Sequence, residues 1–129
     1  MVFSTLHTNS AAQTVDRIID SFPAEQQNQV TSQLAATLVA IISQRLVTRI
    51  DGGRTPACEV MLANSAIRNL IRERKVYQLD LVIETSSREG MITLNRSLAS
   101  LVKKRIISLE QAETYSLNPS ELRILVEKI

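Results

Sequence analysis

Phe3-Ser4-Thr5-Leu6-His7-Thr8-Asn9-Ser10-Ala11-Ala12 changes character halfway along. Val2, Phe3, Thr5 and Leu6 form a β-branched and apolar run that stops at His7, as a buried strand does. A helix start follows at once. Ser10 is placed to cap it while Gln13 reaches back, and Val15, Ile18, Ile19 and Phe22 recur at helical spacing. A polar residue at the C-terminal end of a buried strand is where open α/β sheets set ligand contacts. That position singles out His7, although a hydrogen-bonded structural histidine is the commoner outcome of such a pattern.

Outward from this segment, Pro23 suits the first turn of a second helix, and Val30, Leu34, Leu38, Ile41 and Ile42 line one face of it. Leu34 to Ile42 reads as a buried core helix, about half the ~20 residues a membrane-spanning helix needs. Leu46–Ile50 and Ala57–Leu62 flank Asp51-Gly52-Gly53-Arg54, whose glycines accept positive φ, so a β-hairpin is expected with Pro56 at the entry of its second strand. After Leu62 the pattern turns helical. Asn64 is a plausible N-cap, Leu79–Ile83 a short helix, and Gly90 a separator. Leu94, Leu98, Leu101 and Val102 trace another apolar face. Ser108 with Gln111, and Asn118-Pro119 with Glu121, mark two further helix starts.

Composition narrows the function classes. The 129 residues are 44% apolar and 22% charged with net charge +2, which is ordinary for a globular chain. A charge this small, with only 3% aromatic residues, argues against a nucleic-acid binder. Cys58 is the single cysteine, so no internal disulfide forms and a reducing compartment is the default; it reads as a small core residue of a strand. One histidine and scattered carboxylates give no metal-site spacing. No serine lies in a nucleophile-elbow pattern, and no Gly-x-x-x-x-Gly-Lys-Ser/Thr loop occurs. With glycines only at 52, 53 and 90, the chain alone is expected neither to cradle a triphosphate nor to hydrolyse ATP.

Several of these segments stand in an order that resembles a known family. Phe3 to Ala12 resembles the second half of the histidine box of the type IV pilus retraction (twitching-motility, PilT-type) ATPases, within the secretion-ATPase superfamily of hexameric P-loop motors. Ala66-Ile67-Arg68-Asn69-Leu70-Ile71-Arg72-Glu73 resembles the motif that marks the retraction branch. The likeness runs through Phe22 to Val30, Gln33-Leu34-Ala35 and Ile50 to Arg54. It implies an α/β, predominantly helical fold: the C-terminal portion of a RecA-like P-loop ATPase core (residues 1–63; one core strand, long helices, a β-hairpin), followed by a small helical subdomain (residues 64–129).

The resemblance also implies roles. His7 would contact the γ-phosphate as a hydrogen-bond donor and sensor, with Thr5, Thr8 and Arg45 near the nucleotide; a helix-terminal Arg45 also needs no more than the helix dipole to explain it. Ala66, Ile67, Arg68, Asn69, Leu70, Ile71, Arg72 and Glu73 would couple nucleotide state to movement, Arg68, Asn69 and Arg72 foremost. Read as a helix, the motif shares Ile67, Leu70 and Ile71 on a buried face and sets Arg68 and Arg72 four apart on another, where an acidic partner or water must accommodate them. The implied cofactors are ATP and Mg²⁺ in the full-length family, with no tight binding by this chain alone. Implied partners are further subunits of a hexamer and the pilus inner-membrane platform protein, at a cytoplasmic location peripheral to the inner membrane, with no transmembrane segment.

Two positions depart from the family pattern: Thr31 stands where an arginine is usual, which could remove a charge contact, and Arg74 where a glycine is common, which suggests that the third helix runs on. Lys103-Lys104-Arg105 is most simply the charged end of a helix. The expectation is a truncated C-terminal fragment of a retraction motor, and the alternative is a non-catalytic module that binds intact pilus ATPase subunits or the platform.

Overall fold

Two side-chain bonds close the entry to the first helix: the Ser10 hydroxyl accepts the Gln13 amide at 3.1 Å, and the Gln13 side chain accepts the Asn9 amide at 2.6 Å. A computed structural model describes residues 1–128. In it α1 (Ala11–Asp20) buries Ala11, Thr14, Val15 and Ile19. The strand expected over Val2 to Leu6 does not form. The segment has no ladder partner among the described residues, and Val2 and Phe3 are 92% and 88% exposed. Strands are held by cross-strand bonds, which a β-branched sequence cannot supply by itself.

α2 (Ala24–Thr37) starts after Pro23 and stops earlier than the expected core helix through Ile42. β1 (Ala40–Thr48) takes over, burying Ile41, Ser43 and Val47 and exposing Ile42, Gln44 and Leu46. That period of two, with β-branched Val39, Ile41 and Ile42, is a strand's signature, and it places Arg45 in mid-strand rather than at a helix end. β2 (Arg54–Leu62) pairs with β1, and the turn between them uses Gly52 at φ 97° and Gly53 at φ 74°. The hairpin is as expected, with longer strands, and Pro56 is the third residue of β2.

Five helices follow: α3 (Ser65–Arg72), α4 (Leu79–Thr85), α5 (Leu94–Lys103), α6 (Leu109–Tyr115) and α7 (Pro119–Glu127). The expected caps hold: Asn64 accepts the Ile67 amide at 2.9 Å, Ser108 the Gln111 amide at 3.1 Å and Asn118 the Glu121 amide at 3.3 Å. Each satisfies an amide that the first helical turn leaves unpaired. Gly90, at φ 100°, ends a short turn as a separator.

The elements gather into two compact units, residues 1–43 with 60–91, and residues 44–59 with the stretch from Ile92 on. Each hairpin strand passes from one unit to the other. The first unit is cored by Val15, Ile19, Ile41, Met61, Ile67, Ile71, Leu79 and Ile83. The second is cored by Val47, Ala57, Leu94, Leu98, Ile107, Ala112 and Leu122, and there the Cys58 amide donates to the Ser97 hydroxyl at 3.0 Å.

Contrary to the expectation from Arg74, α3 does not run on. Arg74 adopts φ 58°; its amide donates to Ile71 O at 3.0 Å and the Lys75 amide to Leu70 O at 2.8 Å. This is a Schellman termination with arginine where glycine is favoured. The same geometry recurs after α5, with Arg105 at φ 59°. A left-handed L-residue costs roughly 1–2 kcal/mol, and the unfolded-state entropy of glycine offsets part of its relief. Arg74→Gly should therefore raise stability by about 0.5–1 kcal/mol, seen as a higher urea midpoint with an unchanged slope. A lower midpoint would mean that the long 3.4 Å Arg74 contacts to Gln27 matter more than the backbone does.

Candidate functional site

His7 lies on the extended approach to α1 and is exposed, as is Thr5. The residue after it is anchored. Thr14 donates its hydroxyl proton to Ser10 O at 2.8 Å, so Thr8 is the donor in the 2.6 Å bond between the Thr8 and Thr14 hydroxyls. Thr14 is buried in α1, so the backbone presenting the imidazole is tied to a helix while the ring stays free. Thr5, His7 and Thr8 thus belong to one short segment at the positive end of α1. Arg45 belongs to the second unit, half-buried on β1 and engaged there.

Residues 66–73 form α3 and its C-cap. Ile67 and Ile71 are fully buried, Leu70 packs against the same core, and Ala66, Asn69, Arg72 and Glu73 are exposed. The two arginines use uncharged oxygens instead of an acidic partner. The Arg68 guanidinium donates to Ala35 O at 2.7 Å, in the last turn of α2, and Arg72 donates to Asn69 Oδ1 at 2.8 Å. Glu73 pairs with Lys75 at 3.3 Å. Arg68 is therefore a strap between α2 and α3, a role invisible in sequence because its acceptor is a backbone carbonyl 33 residues away. Thr31 is buried and donates to Gln27 O at 2.7 Å, so no bare polar group stands at that departure.

Hydrogen bonding to Arg49 at 2.8 Å holds the Asp51 carboxyl below its ordinary range at the hairpin turn, and Arg123 at 2.6 Å does the same for Glu113. Among the described residues no group of His, Cys, Asp and Glu is arranged to hold a metal, and no helix is long and apolar enough to cross a membrane.

The chain is similar to known proteins along most of its length. Residues 1–52 match the family model described as Type II/IV secretion system protein. The type IV pilus retraction ATPase PilT of Pseudomonas aeruginosa is 51% identical over 112 residues, 87% of this chain and 33% of that protein. The twitching motility protein of Neisseria gonorrhoeae is 46% identical over 123 residues, 95% of this chain and 33% of that one. A crystal structure of the pilus retraction motor PilT with bound ADP superposes with a TM-score of 0.78 at 46% identity, over 92% of this chain and 33% of the other. The chain is a homologue of type IV pilus retraction ATPases over most of its own length. It spans about a third of the length of the relatives it matches. Its helix-rich architecture with a two-stranded sheet is that of part of an α/β retraction ATPase, as expected.

Proposed function

We propose that this chain acts as the C-terminal portion of a hexameric, ATP-driven motor for type IV pilus retraction. Its likeness, over 87% and 95% of its own length, to a pilus retraction ATPase and a twitching motility protein, and over 92% to an ADP-bound retraction motor, supports this reading most. In this reading the chain's own residues do not cradle a triphosphate: Gly52 and Gly53 are spent on the hairpin turn and Gly90 on a short turn, and the given sequence holds no Gly-x-x-x-x-Gly-Lys-Ser/Thr loop. ATP and Mg²⁺ would be held mainly by upstream parts of the full-length protein, and His7 would contribute one hydrogen-bond donor toward the γ-phosphate. A solvent-facing imidazole on a segment tied to a helix's positive end suits that task. Thr5, Thr8 and Arg45 stay secondary candidates near the nucleotide.

In this reading α3 is the coupling element. Ile67, Leu70 and Ile71 seat it, Arg68 straps it to the end of α2, and Asn69 and Arg72 are displayed as a bonded pair for a neighbouring subunit or the inner-membrane platform protein. The motor would work in the cytoplasm, peripheral to the inner membrane. A non-catalytic module that engages intact subunits through the same helix is the second reading, favoured by the lack of a phosphate loop within these residues.

Calorimetry with a non-hydrolysable ATP analogue separates the two. The motor reading expects no heat of binding from this chain alone, and binding once it is joined to the upstream part of a retraction ATPase. Absence of binding in the joined protein would favour the interaction module.

A further inference from the structure

The motor reading makes no use of the face shared by the helices at the two ends of the second unit. α5 packs against α7, and a cleft of about 480 Å³ opens along them. Ala99 and Leu125 form its floor, and Arg96, Lys103, Lys104 and Lys128 edge it. Arg96 and Lys103 are seven residues apart and so fall on one stripe of α5, and Lys128 follows the last turn of α7. All four cations are exposed. Among the described residues none of these four cations takes part in the Arg49–Asp51, Lys75–Glu73 or Arg123–Glu113 ion pairs. The Lys103 ammonium donates to Lys128 O, linking the end of α5 to the residue after α7.

Four like charges around one concavity repel one another, and an anionic occupant relieves that repulsion. The floor narrows the choice of anion. Leu125 is half-buried and lines the cleft with Ala99, so the site offers apolar surface that a free phosphate would leave uncovered. No aromatic side chain lines the cleft for base stacking. The volume lies within the roughly 300–1,000 Å³ of ligand-sized clefts, room for a few side chains.

We propose that this cleft docks an acidic peptide segment of a partner protein, carboxylates against Arg96, Lys103, Lys104 and Lys128 and one apolar side chain on the Ala99–Leu125 floor. The site is independent of nucleotide and stands whether or not the motor reading does.

Fluorescence anisotropy of a short labelled peptide alternating Glu and Leu, titrated with the whole chain, tests this. Binding should be absent for the matching Lys and Leu peptide, weaken with added salt, and fall at least about tenfold in the Arg96→Glu, Lys104→Glu double variant. Arg54→Glu with Arg88→Glu makes the same change in net charge away from the cleft and should leave binding within about twofold. Arg96→Gln with Lys104→Gln removes the charges without reversing them, and is read in place of the reversed pair if circular dichroism shows that the latter fails to fold. Equal loss in the remote variant, no loss in the cleft variants, or binding of the basic peptide would overturn the proposal. So would displacement of the acidic peptide by inorganic phosphate, or tighter capture of the chain by phosphatidylglycerol vesicles through the same residues.

Discussion

His7→Ala, made in this chain joined to the upstream part of a retraction ATPase, should lower ATP turnover by about 10²–10³-fold, the usual loss when one preorganised donor to a developing oxyanion is removed. The fold should not notice. His7 is exposed, and a surface change away from special features stays within roughly ±0.5 kcal/mol, so the unfolding midpoint should be that of the parent. The anchoring of Thr8 through Thr14 makes the expectation sharp, because the backbone that presents the imidazole is held in place before nucleotide arrives. His7→Gln keeps a donor at similar reach and should recover part of the turnover. Thr14→Val, which deletes the anchor but leaves the imidazole, should fall between parent and alanine variant. Steady-state turnover beside ADP affinity distinguishes the outcomes: a loss confined to turnover matches a γ-phosphate contact, since ADP lacks that group. Parent-like turnover in the alanine variant would remove His7 from the nucleotide site.

The parts of this fold that were legible in sequence are those fixed by neighbours within a few residues. Ser10, Asn64, Ser108 and Asn118 act through amides three residues on, and Gly52-Gly53 set the hairpin through their own backbone angles. The misreadings involve partners far away or two patterns sharing one run. Leu34 to Ile42 satisfies a helical stripe up to Leu38 and an alternating stripe from Val39, and only the ladder to β2 decides where one yields to the other. Val2 to Leu6 has strand composition without a strand to pair with among the described residues. Arg74 is a good helix former at a position where the Lys75 and Arg74 amides are better satisfied by turning back onto Leu70 and Ile71. The candidate site divides the same way. His7 was visible because a lone histidine followed a strand-like run and preceded a cap. Arg68's acceptor and the cleft of Arg96 to Lys128 were not, since each joins residues that only packing brings together.

Stability should respond to core truncation unit by unit. Ile71→Ala and Leu98→Ala each remove a fully buried branched side chain, and each should cost about 2–5 kcal/mol, a large share of the roughly 5–15 kcal/mol that holds a domain folded. The cores they belong to share no residue, so amide exchange should report the losses separately. Ile71→Ala should deprotect amides of residues 60–85, and Leu98→Ala those of α5 to α7. Uniform deprotection by either would show that the chain unfolds as one cooperative body. The comparison bears on the retraction motif, because Ile71 and Arg68 sit on the same helix with different jobs. Ile71→Ala would abolish any coupling role of α3 merely by loosening it. Ile71→Val costs only about 0.5–1.5 kcal/mol and leaves the helix seated, so it should retain motor function. Arg68→Ala breaks the strap to Ala35 at about 1–3 kcal/mol, the range for a hydrogen bond from a charged donor. If Arg68→Ala stops retraction in the joined protein while ATP turnover persists, and Ile71→Val at similar stability does neither, the link between α2 and α3 carries the coupling. If the two variants behave alike, the motif's contribution is the stability of the helix and nothing more specific.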